Sequence, residues 1–224
     1  MGALAPVAVD IETTGFEADD VVTVVGFAGP DGCRVYCQTG ERDTRPVTAA
    51  IEQATAEDVT VSVHPDERAM LMEARQFVTD ALVNRGRLLV AYNVETRRGG
   101  FDLPFVRSRA VQLDVPWLFE GMPYADLYSV IRNRFNLTVD GDERASLERA
   151  YDVLVGGDAG ASDPFDDSVE AVTAFERGDI AAIVQHNLAD VRRTVALTAL
   201  AERYCSKSDF GVKSLTPVRP NPPP

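Results

Sequence analysis

Residues 180–204, IAAIVQHNLADVRRTVALTALAERY, leave the chain little freedom. They read as one long helix, with Asp179 placed to cap its start. Ile180, Ile183, Val184, Leu188, Val191 and Val195 form one apolar stripe, and Ala182, Ala189, Ala196, Leu197 and Leu200 form another. A helix that is apolar on two sides must be sandwiched inside the protein. His186 and Asp190 fall on the second side, one turn apart. A bare aspartate there is expensive unless it is paired or bound to a metal.

The partners for this helix are legible as strands. PVAVDI (6–11) and RLLVAY (87–92) are short apolar runs of the kind that lie in the middle of a sheet. DVVTVVGFA (20–28) and CRVYCQT (33–39) flank Gly29-Pro30-Asp31-Gly32, a hairpin signal. Residues 40–62 read as an irregular insertion with a short helix near 47–54, followed by a strand near 59–63. A short strand is expected near 122–125. Helices are expected over 65–86, 102–111, 126–135, 146–154 and about 168–177, and GGDAGASDPFDD (156–167) is a loop on composition. The order gives an α/β fold, a mixed sheet with an antiparallel start and helices packed on it. One domain over 1–205 is expected, followed by a disordered tail over 206–224.

Composition narrows the function classes. No run approaches the ~18 apolar residues of a membrane span, and the N-terminus has no basic segment leading into an apolar one. A cytoplasmic protein without a membrane partner is the expectation. Cys33, Cys37 and Cys205 make an odd set with no CxxC pair, which argues for free thiols. The net charge is −13, and the only lysines are Lys207 and Lys213. That usage resembles the proteins of halophilic archaea, where about 1 M salt shortens the Debye length to about 3 Å and self-repulsion weakens. An acidic surface ordinarily argues against nucleic acid; at such salt the argument loses force.

Three acidic stations carry the chemistry. In VDIETTG, Asp10 and Glu12 stand two apart on a strand and face the same side. Carboxylates about 5 Å apart at an effective dielectric of ~20 repel by roughly 3 kcal/mol. A shared proton, a divalent cation or open solvent must offset this. In VAYNVETRRGGFDLP, Asn93 ends the second buried strand and Asp102 opens a helix, where an N-cap alone would explain an aspartate. The third station is His186 with Asp190.

Taken in order, DIETTG, YN…FDLP and HNLADV resemble the three motifs of the DEDD (DnaQ-like) superfamily of 3′–5′ exonucleases, over roughly residues 6–204. The second motif is written as in the exonuclease domains of family B DNA polymerases. SLERAYDVLVGG and HNLADV are most similar to YprB-type ribonuclease H-like proteins. The resemblance implies a ribonuclease H-like mixed five-stranded sheet flanked by helices. It also implies two Mg²⁺ or Mn²⁺ ions on Asp10, Glu12, Asp102 and Asp190, with single-stranded DNA or RNA as the partner. His186 would then orient or deprotonate the attacking water. Thr13, Phe16, Asn93, Arg97 and Arg98 are the candidates for holding substrate, although Phe16 equally suits a core and the two arginines a solvated loop.

Two features depart from the pattern. VETRRGG is inserted between Asn93 and Phe101, and the histidine stands four residues before its aspartate where histidine-type members place it five before. Four residues back is rotated only about 40° on a helix, five about 140°. A haloacid dehalogenase-type phosphatase would need D-x-D and a later lysine in the domain, and a P-loop ATPase would need GxxxxGK. Ribonuclease H proper draws its glutamate from a helix. The remaining rival is a catalytically weak or inactive nucleic-acid-binding module with the same fold.

Overall fold

The computed structural model describes residues 5–54, 59–95, 101–157, 163–165 and 169–219. β1 (Pro6–Thr13), β2 (Val22–Gly29) and β3 (Gly32–Gln38) form an antiparallel meander. α1 (Thr44–Ala54) leads to β4 (Val59–His64), which lies parallel to β3. α2 (Glu67–Phe77), capped by Asp66, runs on through a π-helical turn at Val78–Val83 into β5 (Leu88–Ala91). β5 is parallel to β1, and after α3 (Asp102–Gln112) comes β6 (Pro123–Asp126), parallel to β5. α4 (Leu127–Arg134) precedes a two-stranded hairpin, β7 (Thr138–Val139) with β8 (Asp142–Glu143). α5 (Leu147–Leu154), α6 (Val169–Arg177) and α7 (Ile180–Tyr204) complete the helices. Among the described residues the main sheet runs β4-β3-β2-β1-β5-β6-β9, where β9 is Lys213–Ser214. This is a mixed α/β architecture of the ribonuclease H-like kind.

The alternation along β1 sorts the layers. Val7, Val9 and Ile11 pack with Met70, Leu71 and Ala74 of α2 and Leu103, Phe105 and Val106 of α3. Ala8 faces the other way, joining Val24, Ala28 and Val35 against Ile51 of α1, Ala171 and Ala174 of α6 and the stripe Ile180, Ile183, Val184, Leu188 and Val191 of α7. Farther along α7, Leu197 and Ala201 pack on Leu127, Val130 and Ile131 of α4 and Leu147, Ala150 and Tyr151 of α5. The long helix is therefore sandwiched, as its two apolar sides require. Its main stripe stops one turn short of expectation, because Val195 is exposed. Cys33 and Cys37 point into the same core, and burial pushes the Cys37 thiol up to about 12.

Two expectations are corrected. The sheet has seven strands among the described residues, not five, because β4 extends one edge and β9 the other. The stretch after residue 205, expected as a tail, contributes that last strand. Lys207–Phe210 form a 3-10 turn, Lys213 and Ser214 pair antiparallel with Tyr124 and Pro123, and Leu215 is buried. The open edge of β6 leaves backbone groups to satisfy, and Trp117 Nε1 donates to Leu215 O at 2.9 Å. Residues 220–224 lie outside the described residues.

Candidate active site

The turn after β1 is built by its own sequence. Thr13 Oγ1 donates to Gly15 O at 2.8 Å, Thr14 Oγ1 to Asp20 Oδ1 at 2.9 Å, and Glu17 N to Asp20 Oδ2 at 2.8 Å. A Cβ on Gly15 would stand 2.4 Å from Asp20 Oδ2, so a larger residue at the third position of TTG would displace the carboxylate that ties the turn. The β1–β2 register shifts between Glu12 and Thr13. Such a bulge re-aims side chains, and here it directly follows Glu12.

α7 approaches this strand end because β2 leaves room for it. Gly26 is the register partner of Asp10. A Cβ there would lie 1.7 Å from Asn187 Oδ1. In the space so left, fully buried Asn187 donates through Nδ2 to Asp10 Oδ2 at 2.9 Å. Asn187 brings its neighbours with it: His186, Asp190 and Arg193 are all buried on the side of α7 that faces the acids.

Asp102 comes from the opposite layer. It was a candidate N-cap, but the cap position belongs to Phe101 and no side chain caps there; Asp102 is the first helical residue of α3. Capping therefore does not account for its carboxylate. Its charge acts on Asp10, and Asp190 acts on it.

Asp10, Glu12, Asp102, His186 and Asp190 are thus brought together from β1, α3 and α7. Burial lifts Glu12 to about 8 and Asp102 to about 7. Asp10 is raised well above the carboxylate range by burial and then by the charges of Glu12, Asp102 and Asp190. Asp190 is raised by burial against the pull of His186 and Arg193. For His186, burial opposes the charge, but the hydrogen bond to Asp163 and the charges of Glu12 and Asp190 outweigh it and push the ring to about 9. Glu12 Oε1 is buried with no hydrogen-bond partner.

Besides Asn187, two residues of the cluster were not singled out from sequence. Asp163, in the loop between α5 and α6, accepts from His186 Nδ1 at 2.7 Å and, through its other oxygen, from Arg193 Nη1 at 2.8 Å. Arg193 Nη1 also donates to Asp190 Oδ1 at 2.5 Å. Burial works against the Asp163 charge, but these two cationic partners hold its carboxyl below the usual range. The i, i+3 spacing of Asp190 and Arg193 was a usable signal. Asp163 had none, because its partners lie far along the chain.

The substrate candidates separate. Phe16 is 72% exposed and meets the Phe101 ring edge-on at 5.0 Å, directly beside Asp102. Thr13 spends its hydroxyl inside the turn. Asn93 sits at φ 61°, its N–H donating to Asp126 Oδ1 at 2.9 Å, where the chain turns after β5. Arg97 and Arg98 lie outside the described residues. A cavity of about 430 Å³ lies elsewhere, between the β2–β3 turn and α2. Its charged walls are already engaged, Asp31 by Arg85 and Arg87 and Glu73 by His64.

No helix among the described residues is long and apolar enough to cross a membrane. No curated protein matches the chain. The family RNase_H_2, of the RNase H superfamily, matches residues 7–202, a span that runs from β1 into the last turn of α7. The chain belongs to the RNase H superfamily, whose fold is that of nucleases acting on nucleic acid.

Proposed function

We propose that the protein is a divalent-metal-dependent 3′–5′ exonuclease of the DEDD type, acting on single-stranded DNA or RNA. The observation that carries this reading is the carboxylate cluster itself. Four acids from three elements converge where burial raises all four above the ordinary carboxylate range, with repulsion from neighbouring carboxylates adding for Asp10, Glu12 and Asp102, and Glu12 Oε1 is buried without a partner. A cation resolves both problems at once, so the donor set fits two Mg²⁺ or Mn²⁺ ions held by Asp10, Glu12, Asp102 and Asp190. When bound, the ions supply an activated water and charge for the leaving 3′ oxygen.

The chain's own residues do the rest. Asn187 fixes Asp10, and Arg193 fixes Asp190. Phe16 and Phe101 offer a stacking face for a terminal base beside Asp102. His186 is aimed into the cluster from one side. The rival reading, a binding module with little activity, draws on one observation: Arg193 already holds one oxygen of Asp190.

Digestion of 5′-labelled single-stranded DNA and RNA in molar KCl with Mn²⁺ tests the proposal. A ladder shortening from the 3′ end is expected, and Asp102→Asn or Asp10→Asn should lower the rate by at least about 10²-fold with the fold retained by circular dichroism. Binding of either polymer without cleavage would favour the module.

A further inference from the structure

We infer that His186 is a direct metal ligand, through Nε2, in a mixed nitrogen–oxygen site with Glu12 and Asp190. This goes beyond the all-carboxylate reading above and rests on it, since it requires that the cluster bind a cation.

Geometry makes the case. Glu12, His186 and Asp190 each offer one donor atom, and the three atoms all lie within 4.8 Å of one another. Bonds of about 2.0–2.2 Å place two ligands about 3 Å apart when cis and about 4.2 Å when trans. His186 Nε2 stands 3.9 Å from Asp190 Oδ2, inside that range. Each ligand's other atom is either committed or waiting. His186 Nδ1 is taken by Asp163 Oδ1 at 2.7 Å, and Asp190 Oδ1 is taken by Arg193 Nη1 at 2.5 Å. Nε2 and Oδ2 are left facing the same space, joined there by the Glu12 side chain, whose Oε1 is buried and unpartnered.

The backing is also that of a ligand. Metal-bound histidines characteristically give their second ring nitrogen to a carboxylate, which sets the tautomer and the ring angle. Asp163 does this here and is itself held by Arg193 at 2.8 Å, while Phe165 packs on the ring at 5.3 Å between centroids. A histidine serving only to receive a water's proton needs freedom to admit that water between Nε2 and the acids. This ring is 6% exposed and clamped on its far side. Imidazole in the coordination shell suits first-row transition dications such as Fe²⁺, Ni²⁺ and Zn²⁺, whereas Mg²⁺ is suited by oxygen donors; Mn²⁺ serves below as the paramagnetic probe.

Pulsed electron paramagnetic resonance of Mn²⁺ bound to the full chain reads the proposed bond without any turnover. Imidazole ¹⁴N modulation is expected, and it should change to the ¹⁵N pattern when histidine alone is ¹⁵N-labelled. The chain has two histidines, so His64→Gln, on the sheet edge beside Glu73, should leave the signal intact and His186→Gln should remove it. Should His186→Gln fail to fold, the labelled protein and His64→Gln together still assign the nitrogen. Asp163→Asn, which keeps an acceptor but loses the charge, should weaken Mn²⁺ binding about 10-fold or more. Bound Mn²⁺ with no histidine nitrogen coupling overturns the ligand assignment and leaves the nuclease proposal standing. Coupling that disappears with His64→Gln also overturns it. Failure to bind Mn²⁺ at millimolar concentration overturns both.

Discussion

Gly26 and Asn187 decide whether the site exists. The glycine offers no side chain, and its missing Cβ is what lets Asn187 reach Asp10. Gly26→Ala forces the amide aside, because overlap at 1.7 Å cannot be absorbed by small shifts. Overpacking of this kind costs about 1–3 kcal/mol. The variant should unfold at lower urea and bind Mn²⁺ more weakly than wild type; unchanged Mn²⁺ affinity would show that Asn187 does not set the position of Asp10. Sequence offered the acids and His186 as candidates by motif, because those groups appear at recognisable spacing at the end of one strand and on two helices. It did not carry Gly26 or Asp163. The value of each depends on a contact across the fold, 23 residues along the chain between Asp163 and His186.

At the scale of elements, the question is what keeps the carriers of the acids in register. α3 brings Asp102, and the β1–β2 turn follows Glu12. Both are tied to α2 by one buried ion pair. Glu67 accepts from Val22 N at 2.8 Å and from Arg109 Nε at 2.9 Å. Arg109 bonds Gln112, and Gln112 Nε2 donates to Ala18 O at 3.0 Å. Arg109→Ala would strand the Glu67 charge in the interior, and breaking a buried pair from one side costs about 3–5 kcal/mol. Chemical denaturation should show a loss of that size; a loss under about 1 kcal/mol would mean the pair is solvated in practice. Most of the helices and strands were legible from periodicity. The C-terminal strand was not, because Pro-rich and charged residues flank it and only the open edge of β6 gives it a place.

For the molecule as a whole, charge is the dominant variable. Four carboxyls with raised values bind protons in the folded state that the unfolded chain has already released. Their contribution is fully present below about pH 4, the ordinary carboxylate range, and is lost as pH rises toward 8. His186, raised to about 9, stabilises fully below its unfolded value of about 6.5 and loses that stabilisation as pH climbs through 9. Both signs agree, so the metal-free protein should melt at progressively lower temperature from pH 5 to pH 9. Mn²⁺ should raise Tm and flatten the slope, since a bound ion takes over from the protons. A metal-free Tm that rises across this window would contradict the burial of the acid cluster. The overall charge of −13 adds self-repulsion of the same sign, which salt screens.

Sequence by itself determined the layers and named the candidate acids and histidine. An apolar run ending in D-x-E, a helix with two apolar sides and a short-range turn code are local matters, fixed by backbone period and by solvation. Only the tertiary structure decided how those groups are wired. It showed that Asp102 is not a cap, that Arg193 and Asp163 grip Asp190 and His186 from behind, and that Nε2 is the ring nitrogen left to the site. Those facts depend on which surfaces close on one another. Hydrogen bonds between distant segments acquire their meaning only after the sheet and α7 have packed.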